Sequence, residues 1–194
     1  CAFLNCDKMS SVLFLNSLEG VGNNAFNNCT GLTFVTLPQG LTSLGDFAFS
    51  GCSNLFTVVL PSSVTNMGNC IFENCTSLST ISIPASVKNI GREAFKGCVK
   101  LSSLIVESKN EKYYSKDNVV YDLKTSEALF VAKGATQLTL QDGIKRFSPA
   151  TLRGCFNLIE LTLPMSLTNI APEELSDCIA LKSLVIYSNT PPSS

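Results

Sequence analysis

The side chains of this sequence that could take part in the widest range of chemical reactions are its nine cysteines. Seven of them recur at intervals of 23 residues, with one interruption: Cys6, Cys29, Cys52, Cys75, Cys98, Cys155 and Cys178. Such a column can be a disulfide or metal ladder, because Cα atoms stacked about 5 Å apart lie within disulfide range. It can also be reduced core packing, since a buried thiol behaves as a small hydrophobic group. We favour core packing, because stacked side chains point the same way and no CxxC pair is present.

Two cysteines lie outside the column. Cys70 takes the repeat position of Asn24, Phe47 and Glu93, so we predict that it is partly exposed and is the most reactive thiol. Cys1 fits the end of an incomplete repeat, which predicts a boundary within a longer protein.

Composition excludes several classes of function. The chain contains no histidine, so it lacks the usual general base, the usual zinc ligand and every Ser-His or Cys-His nucleophile pair. Its formal net charge is −1 and it has no basic run, which argues against nucleic acid binding. No apolar run approaches the roughly 18 residues that span a bilayer. We therefore predict no enzyme activity, no cofactor and no metal site.

The stretch from Leu78 to Cys98, LSTISIPASVKNIGREAFKGC, contains one complete repeat. Apolar and polar residues alternate before Pro84, which predicts a short strand with one buried face. Gly91 follows two spaced apolar positions, where the backbone needs positive φ or a close approach. The last segment, REAFKGC, predicts one helical or 3-10 turn. A period of this length predicts a solenoid whose strands stack into a parallel sheet.

The period breaks once, since Leu104 and the equivalent Leu138 are 34 residues apart. The additional residues lie within an insert at about 107–134, which holds three of the four tyrosines. Residues 118–121 and 128–131 flank a polar LKTSE segment, which predicts a β-hairpin.

The repeat LxxIxIPxxVxxIGxxAFxxC resembles the BspA-like leucine-rich repeat family over almost the whole chain. The resemblance implies an α/β leucine-rich repeat solenoid, a right-handed coil with a parallel β-sheet on its concave face. Short helical or 3-10 turns are expected on the convex face, together with the β-hairpin insert. We expect a single domain over residues 1–194, with about eight repeats, continuing at both ends in the natural protein.

The strand residues that face outward are the predicted contact surface, because extended partners dock on the concave sheet of a solenoid. They are small and almost uncharged: Phe34, Thr36, Thr57, Val59, Thr80, Ser82, Ser103, Ile105, Gln137, Thr139, Glu160 and Thr162. The alternative is that these residues only satisfy β-propensity and cross-strand packing. Tyr113 and Tyr114 are a second candidate, expected to lie exposed at the base of the hairpin. The alternative there is that the insert only plugs the break.

Two functional hypotheses follow. The family resemblance implies a secreted or surface-displayed protein of bacteria or parasitic protists that adheres to host proteins or neighbouring cells. We therefore expect a non-catalytic adhesion module that recognises a protein or glycan through the concave sheet and the insert. The alternative is a stiff spacer in a larger surface protein with no ligand of its own. The sequons Asn28-Cys29-Thr30 and Asn74-Cys75-Thr76 predict either glycosylation or a turn that suits asparagine.

Overall fold

The computed structural model describes residues 2–14 and 18–187. Within them the chain forms short β-strands joined by turns, and no helix is present. The strands are β1 (Gly20–Val21), β2 (Phe34–Thr36), β3 (Ser43–Leu44), β4 (Thr57–Val59), β5 (Asn66–Met67), β6 (Thr80–Ile83), β7 (Asn89–Ile90), β8 (Ser103–Val106), β9 (Tyr113–Lys116), β10 (Val119–Asp122), β11 (Glu127–Val131), β12 (Gln137–Thr139), β13 (Arg146–Phe147), β14 (Glu160–Leu163) and β15 (Ser183–Ile186). The prediction for Cys1 lies outside the described residues.

The alternating run of each repeat forms a strand of the main sheet. This sheet has two parts, β2-β4-β6-β8 and β12-β14-β15, and every pairing in it is parallel. The register advances by one repeat, so that Phe34 lies opposite Thr57 on the next strand. Val35 and Val58, between exposed or half-buried neighbours, point into the core, as the two-residue period of a strand requires. The predicted parallel-strand solenoid of repeats is thus confirmed.

A second parallel ladder, β1-β3-β5-β7, forms another side of the coil. Its strands have only two residues, which is too short for the alternation that identifies a strand in sequence. A glycine follows each of these strands, and from Gly45 onward the coils approach closely there. A Cβ placed at Gly45 would lie 2.7 Å from the backbone carbon of Gly22. Close approach, rather than positive φ, therefore explains Gly45, Gly68 and Gly91, whereas a Cβ at Gly22 would meet no atom within 4 Å.

The segment between the glycine and the cysteine is not helical, and the prediction of helical or 3-10 turns is wrong. Asn24 and Asn28 have φ angles of 55° and 59°, and left-handed residues at such short intervals interrupt a right-handed helix. Backbone N–H groups here donate to the neighbouring coil instead. Phe26 N and Asn28 N donate at 2.8 Å to the carbonyl oxygens of Ala48 and Ser50. Hydrogen bonds between coils therefore replace those within a helix.

A stack of phenylalanine rings runs through the N-terminal core. The ring centroids of Phe26, Phe49, Phe72 and Phe95 are separated successively by 5.2, 5.8 and 6.1 Å, with nearly parallel planes. Phe130 of the insert meets Phe95 edge-on, with the centroids 5.5 Å apart. The insert thus ends the stack by packing against its last ring.

The insert forms an antiparallel meander, β9-β10-β11, and β11 also pairs in parallel with β13. The predicted hairpin is present as β10 and β11, whereas β9 was not predicted. Val120 joins the core on the N-terminal side, while Val119 and Tyr121 join the core on the C-terminal side. Because successive residues of a strand point to opposite faces, β10 lies between the two cores and contributes side chains to both.

Candidate functional site

The outward face of the main sheet brings together the predicted residues of the first four strands. Registers place Thr36 opposite Val59, Thr57 opposite Thr80 and Ser82 opposite Ile105. Three apolar side chains are widely exposed on this face: Phe34 (54%), Val59 (54%) and Ile105 (50%). Their strand neighbours carry hydroxyl groups, and no charged residue lies among the predicted positions of β2, β4, β6 and β8.

The remaining four predicted strand residues lie on the second part of the sheet. Gln137 faces Glu160, and Thr139 faces Thr162. The Gln137 amide donates to the Glu160 carboxylate at 3.0 Å. Because the insert separates β8 from β12, the twelve predicted residues do not share one continuous sheet.

The insert occupies the edge that β8 would otherwise offer to the next repeat. Val106 N donates to Ser115 Oγ at 2.8 Å, and Leu104 N donates to Asn118 Oδ1 at 3.4 Å. Side chains of the insert therefore satisfy backbone groups of the interrupted sheet.

The expectation that Tyr113 and Tyr114 lie exposed is wrong for Tyr113. Its side chain is only 3% exposed, and Lys112 Nζ lies 5.1 Å from its ring centroid. Tyr114 is half-buried and stacks on the buried Tyr121, with centroids 5.0 Å apart. These tyrosines belong to β9 and β10 and pack the insert into the solenoid. This burial agrees with the alternative interpretation, in which the insert only fills the break in the repeats.

Sequence reasoning missed other exposed apolar residues near the predicted face. Phe56, just before β4, is 59% exposed. Met165 (61%) and Tyr187 (59%) line a cleft of about 340 Å³ together with the predicted residues Thr139 and Thr162. These three residues lie outside the strand alternation, so the strand pattern gave no signal for them.

The thiol column has a structural role. Cys52, Cys75 and Cys98 are fully buried and donate their S–H groups, at 3.1, 3.1 and 3.0 Å, to the carbonyl oxygens of phenylalanines in the preceding coil. Burial raises the pKa of Cys52 and Cys98 to about 12. The described cysteines carry free thiols, and those of the column interior are held in the unreactive protonated form.

Cys70 is half-buried, as predicted, but its surroundings oppose reactivity. Burial and the Glu73 and Glu93 carboxylates raise the pKa of this thiol to about 11. The thiol and both carboxylates lie within 4.8 Å of one another, a spacing that could hold a metal ion. Lys96 Nζ, however, lies 3.1 Å from Glu73 and 3.0 Å from Glu93. We assign no metal here because this ammonium already forms ion pairs with both carboxylates.

A buried lysine and a buried glutamate were also missed from the sequence. Lys133 Nζ donates at 2.6 and 2.7 Å to the carbonyl oxygens of Thr151 and Arg153, while Leu152 N donates at 2.6 Å to Glu174. Burial lowers the pKa of Lys133 and raises that of Glu174. Glu174 occupies the column of Ala48 and Ala94, so a charged residue at an apolar repeat position was the available signal.

Comparison with known proteins identifies the repeat. Residues 1–117 and 124–191 match the BspA type leucine rich repeat region, in six copies. The chain belongs to this family. The BspA-type assignment agrees with the stacked parallel strands and their 23-residue register.

Three solved structures are similar to this BspA-type chain. A leucine-rich repeat protein from Eubacterium ventriosum is 23% identical, with 88% of this chain and 58% of that one covered and a TM-score of 0.58. The pneumococcal vaccine antigen PcpA is 18% identical (88% and 49%; TM-score 0.65). A leucine-rich repeat protein from Bacteroides ovatus is 19% identical (95% and 56%; TM-score 0.63). At these identities the likeness shows the fold, and this chain spans about half the length of each. No curated protein matches it.

Across residues 2–14 and 18–187, the BspA-type chain contains no helix long and apolar enough to cross a membrane.

Proposed function

We propose that this chain is a non-catalytic binding module of a secreted or cell-surface protein. It contacts a protein or glycan partner through the outward face of the main sheet. The exposure of Phe34, Val59 and Ile105 among uncharged hydroxyl residues carries this proposal. The hydroxyl residues of β6 lie between Val59 and Ile105 on this face, and hydroxyl groups between apolar contacts suit a partner with hydrogen-bonding groups and little charge.

Several further observations support this proposal. The chain contains no histidine, and its net charge is −1, so neither acid–base catalysis nor attraction to polyanions is favoured. The similar PcpA is a pneumococcal vaccine antigen, which supports an extracellular or surface location. Tyr113 and Tyr121 of the insert are buried in the two cores. The insert therefore stabilises the solenoid that carries the proposed contact face.

The test is a binding measurement on candidate cell surfaces and immobilised glycans. The triple variant Phe34→Ser, Val59→Ser, Ile105→Ser should weaken saturable binding at least about tenfold, which corresponds to about 1.4 kcal/mol. The exposed positions of these three side chains should leave thermal stability nearly unchanged.

The matched control is the variant Phe156→Ser, Ile179→Ser. Both residues are exposed and apolar (41% and 82%), but each directly follows a cysteine in the turn that leads into a main strand, β14 or β15, and so lies outside the strand positions of the proposed contact face. Equal binding loss in both variants would indicate nonspecific adhesion. Absence of saturable binding by the unaltered chain would favour the spacer hypothesis.

A further inference from the structure

The two sequons occupy the same position of the repeat in different coils. Asn28 and Asn74 each precede a buried cysteine of the column, and Thr30 and Thr76 supply the hydroxyl residue that the sequon requires. An asparagine that carries a glycan must lie on the surface of the folded chain, because the glycan is large and strongly hydrated. The conformation and exposure of the two asparagines therefore decide whether the fold can accommodate glycans here.

Both asparagines lie in exposed turns whose backbone is fixed. Their φ angles are 59° and 58°, a left-handed conformation that asparagine tolerates. Asn28 N donates at 2.8 Å to Ser50 O, and Asn74 N donates at 2.7 Å to Lys96 O of the next coil. The backbone of each turn is thus held by the stack, while the asparagine side chain remains at the surface.

The next coil leaves space beside each side-chain amide. A Cβ placed at Gly51 would lie 3.1 Å from Asn28 Cγ, and one placed at Gly97 would lie 3.2 Å from Asn74 Cγ. The residue beside each asparagine is therefore a glycine, which contributes no side chain there. Since neighbouring coils are about 4.8 Å apart, the two asparagines are separated by roughly 10 Å, with the coil of Gly51 between them.

The sequons also lie outside the main sheet. The turn of Asn28 belongs to the segment between the glycine and the cysteine of the repeat, which hydrogen-bonds to the same segment of the next coil. The main strands that follow the two sequons, β2 and β6, begin only at Phe34 and Thr80. A glycan at either asparagine is therefore attached away from the strand positions of the proposed contact face.

We propose that Asn28 and Asn74 are N-glycosylation sites, and that each carries an oligosaccharide on the surface formed by this segment. Glycosylation requires the proposed secreted location, but it does not depend on the proposed contact face. In the reaction, the side-chain Nδ2 bonds to the anomeric carbon of a lipid-linked oligosaccharyl diphosphate. The bond from that carbon to the diphosphate breaks, and Nδ2 loses one proton. Nδ2 keeps its second hydrogen, so Asn28 retains a donor for its 3.1 Å hydrogen bond to Asn5 Oδ1.

The test directs the full chain, behind a signal peptide, through the endoplasmic reticulum of a eukaryotic host. The secreted protein is treated with peptide-N-glycosidase in heavy-oxygen water, which converts each glycosylated asparagine into a labelled aspartate. Mass spectrometry of the peptides should show the label at Asn28 and Asn74 in most molecules. Asn5 is the matched control, since it is exposed in the same column with a φ of 59°, but Asp7 replaces the hydroxyl residue. It should stay unlabelled.

Variants separate the glycan from the turn that carries it. Asn28→Gly and Asn74→Gly should each remove one glycan and keep the fold, because Gly51 and Gly97 occupy this column with φ angles of 73°. Thr76→Ala should abolish labelling of Asn74 although the asparagine is still present, whereas Thr76→Ser should retain it. Circular dichroism of each secreted variant reports whether the stack is intact.

Unlabelled Asn28 and Asn74 in the secreted, folded protein would overturn the proposal. Labelling of Asn5 as often as of these two residues would also overturn it. So would loss, in the glycosylated chain, of the circular dichroism spectrum that the double variant Asn28→Gly, Asn74→Gly shows. Because the label is measured without a binding partner, a failure of the main-sheet variants to weaken binding would count against the contact face alone.

Discussion

The thiol of Cys75 shows why a small hydrophobic residue alone would not serve in the column. It is fully buried and donates to Phe49 O at 3.1 Å. Alanine would fit the apolar surroundings but would remove this donor, and Phe49 O would keep only its hydrogen bond from Cys52 N, with a net loss of about 0.5–1.5 kcal/mol for the missing bond. Cysteine combines small size, apolar character and one donor, which accounts for its recurrence without a disulfide framework.

The phenylalanine column gives a prediction at the same scale. Phe72 is fully buried between Phe49 and Phe95, so Phe72→Ala should cost about 3–5 kcal/mol. Thr80→Ala, on the exposed face of β6, should stay within about 0.5 kcal/mol. Urea denaturation of the two variants measures the difference, and equal losses would contradict the assignment of inward and outward positions.

Among the elements, the strands of the main sheet were predictable from the sequence, whereas the conformation of the segment between the glycine and the cysteine of each repeat was not. Alternation before Pro61 and Pro84 identified β4 and β6, because one buried face imposes a two-residue period. The AF motif before each cysteine suggested a helical turn, but Asn24 and Asn28 adopt positive φ. Asparagine and glycine tolerate this conformation, and they alternate in the column of Asn28, Gly51, Asn74 and Gly97, which was the available signal. The column of Asn24 holds Phe47, Cys70 and Glu93, so residue type gave no such signal there.

The candidate site was also predictable only in part: the exposed strand positions were, and the burial of the insert tyrosines was not. The strand period correctly placed Phe34, Val59 and Ile105 on the exposed face. It could not indicate that β10 lies between two cores, which is why Tyr113 and Tyr121 are buried.

The close contact between coils leads to a prediction at the scale of elements. A Cβ at Gly68 would collide with the backbone of Gly45 and Asp46, whereas a Cβ at Gly22 would meet no atom within 4 Å. Gly68→Ala should therefore cost at least about 1–3 kcal/mol through overpacking, and Gly22→Ala should be nearly neutral. Thermal unfolding followed by circular dichroism compares them. A small loss of stability for Gly68→Ala would contradict this prediction. It would show that neighbouring coils can move apart while their strands stay paired.

At the scale of the whole molecule, the insert divides a continuous stack into two cores and still joins them. Val120 packs with the first core and Val119 with the second, while β11 pairs with β13 beyond the break. Neighbouring repeats stabilise one another in a solenoid. Because β10 packs against both cores, we expect them to unfold together, and changes at one coil to affect the whole stack.

The buried thiols make the stability of this stack dependent on alkaline pH. Burial raises the pKa of Cys52 and Cys98 to about 12, against 9.0 for the unshifted thiol. Between these values the folded chain keeps both thiol protons and the unfolded chain loses them, so the folded state binds more protons. Their contribution to stability is complete below pH 9 and decreases as the pH rises towards 12, by about 1.4 kcal/mol per pH unit for each thiol.

Urea denaturation at pH 8 and at successive values above 9 measures this decrease. The double variant Cys52→Ala, Cys98→Ala should be less stable at pH 8, because it loses two S–H donors and leaves small cavities. Its stability should nevertheless decrease less steeply above pH 9, since these two thiols no longer ionise on unfolding. A slope identical to that of the unaltered chain would mean that other groups, such as Cys70, govern alkaline unfolding. A flatter slope would show that the interior of the column stays protonated because the coils on either side exclude water from it.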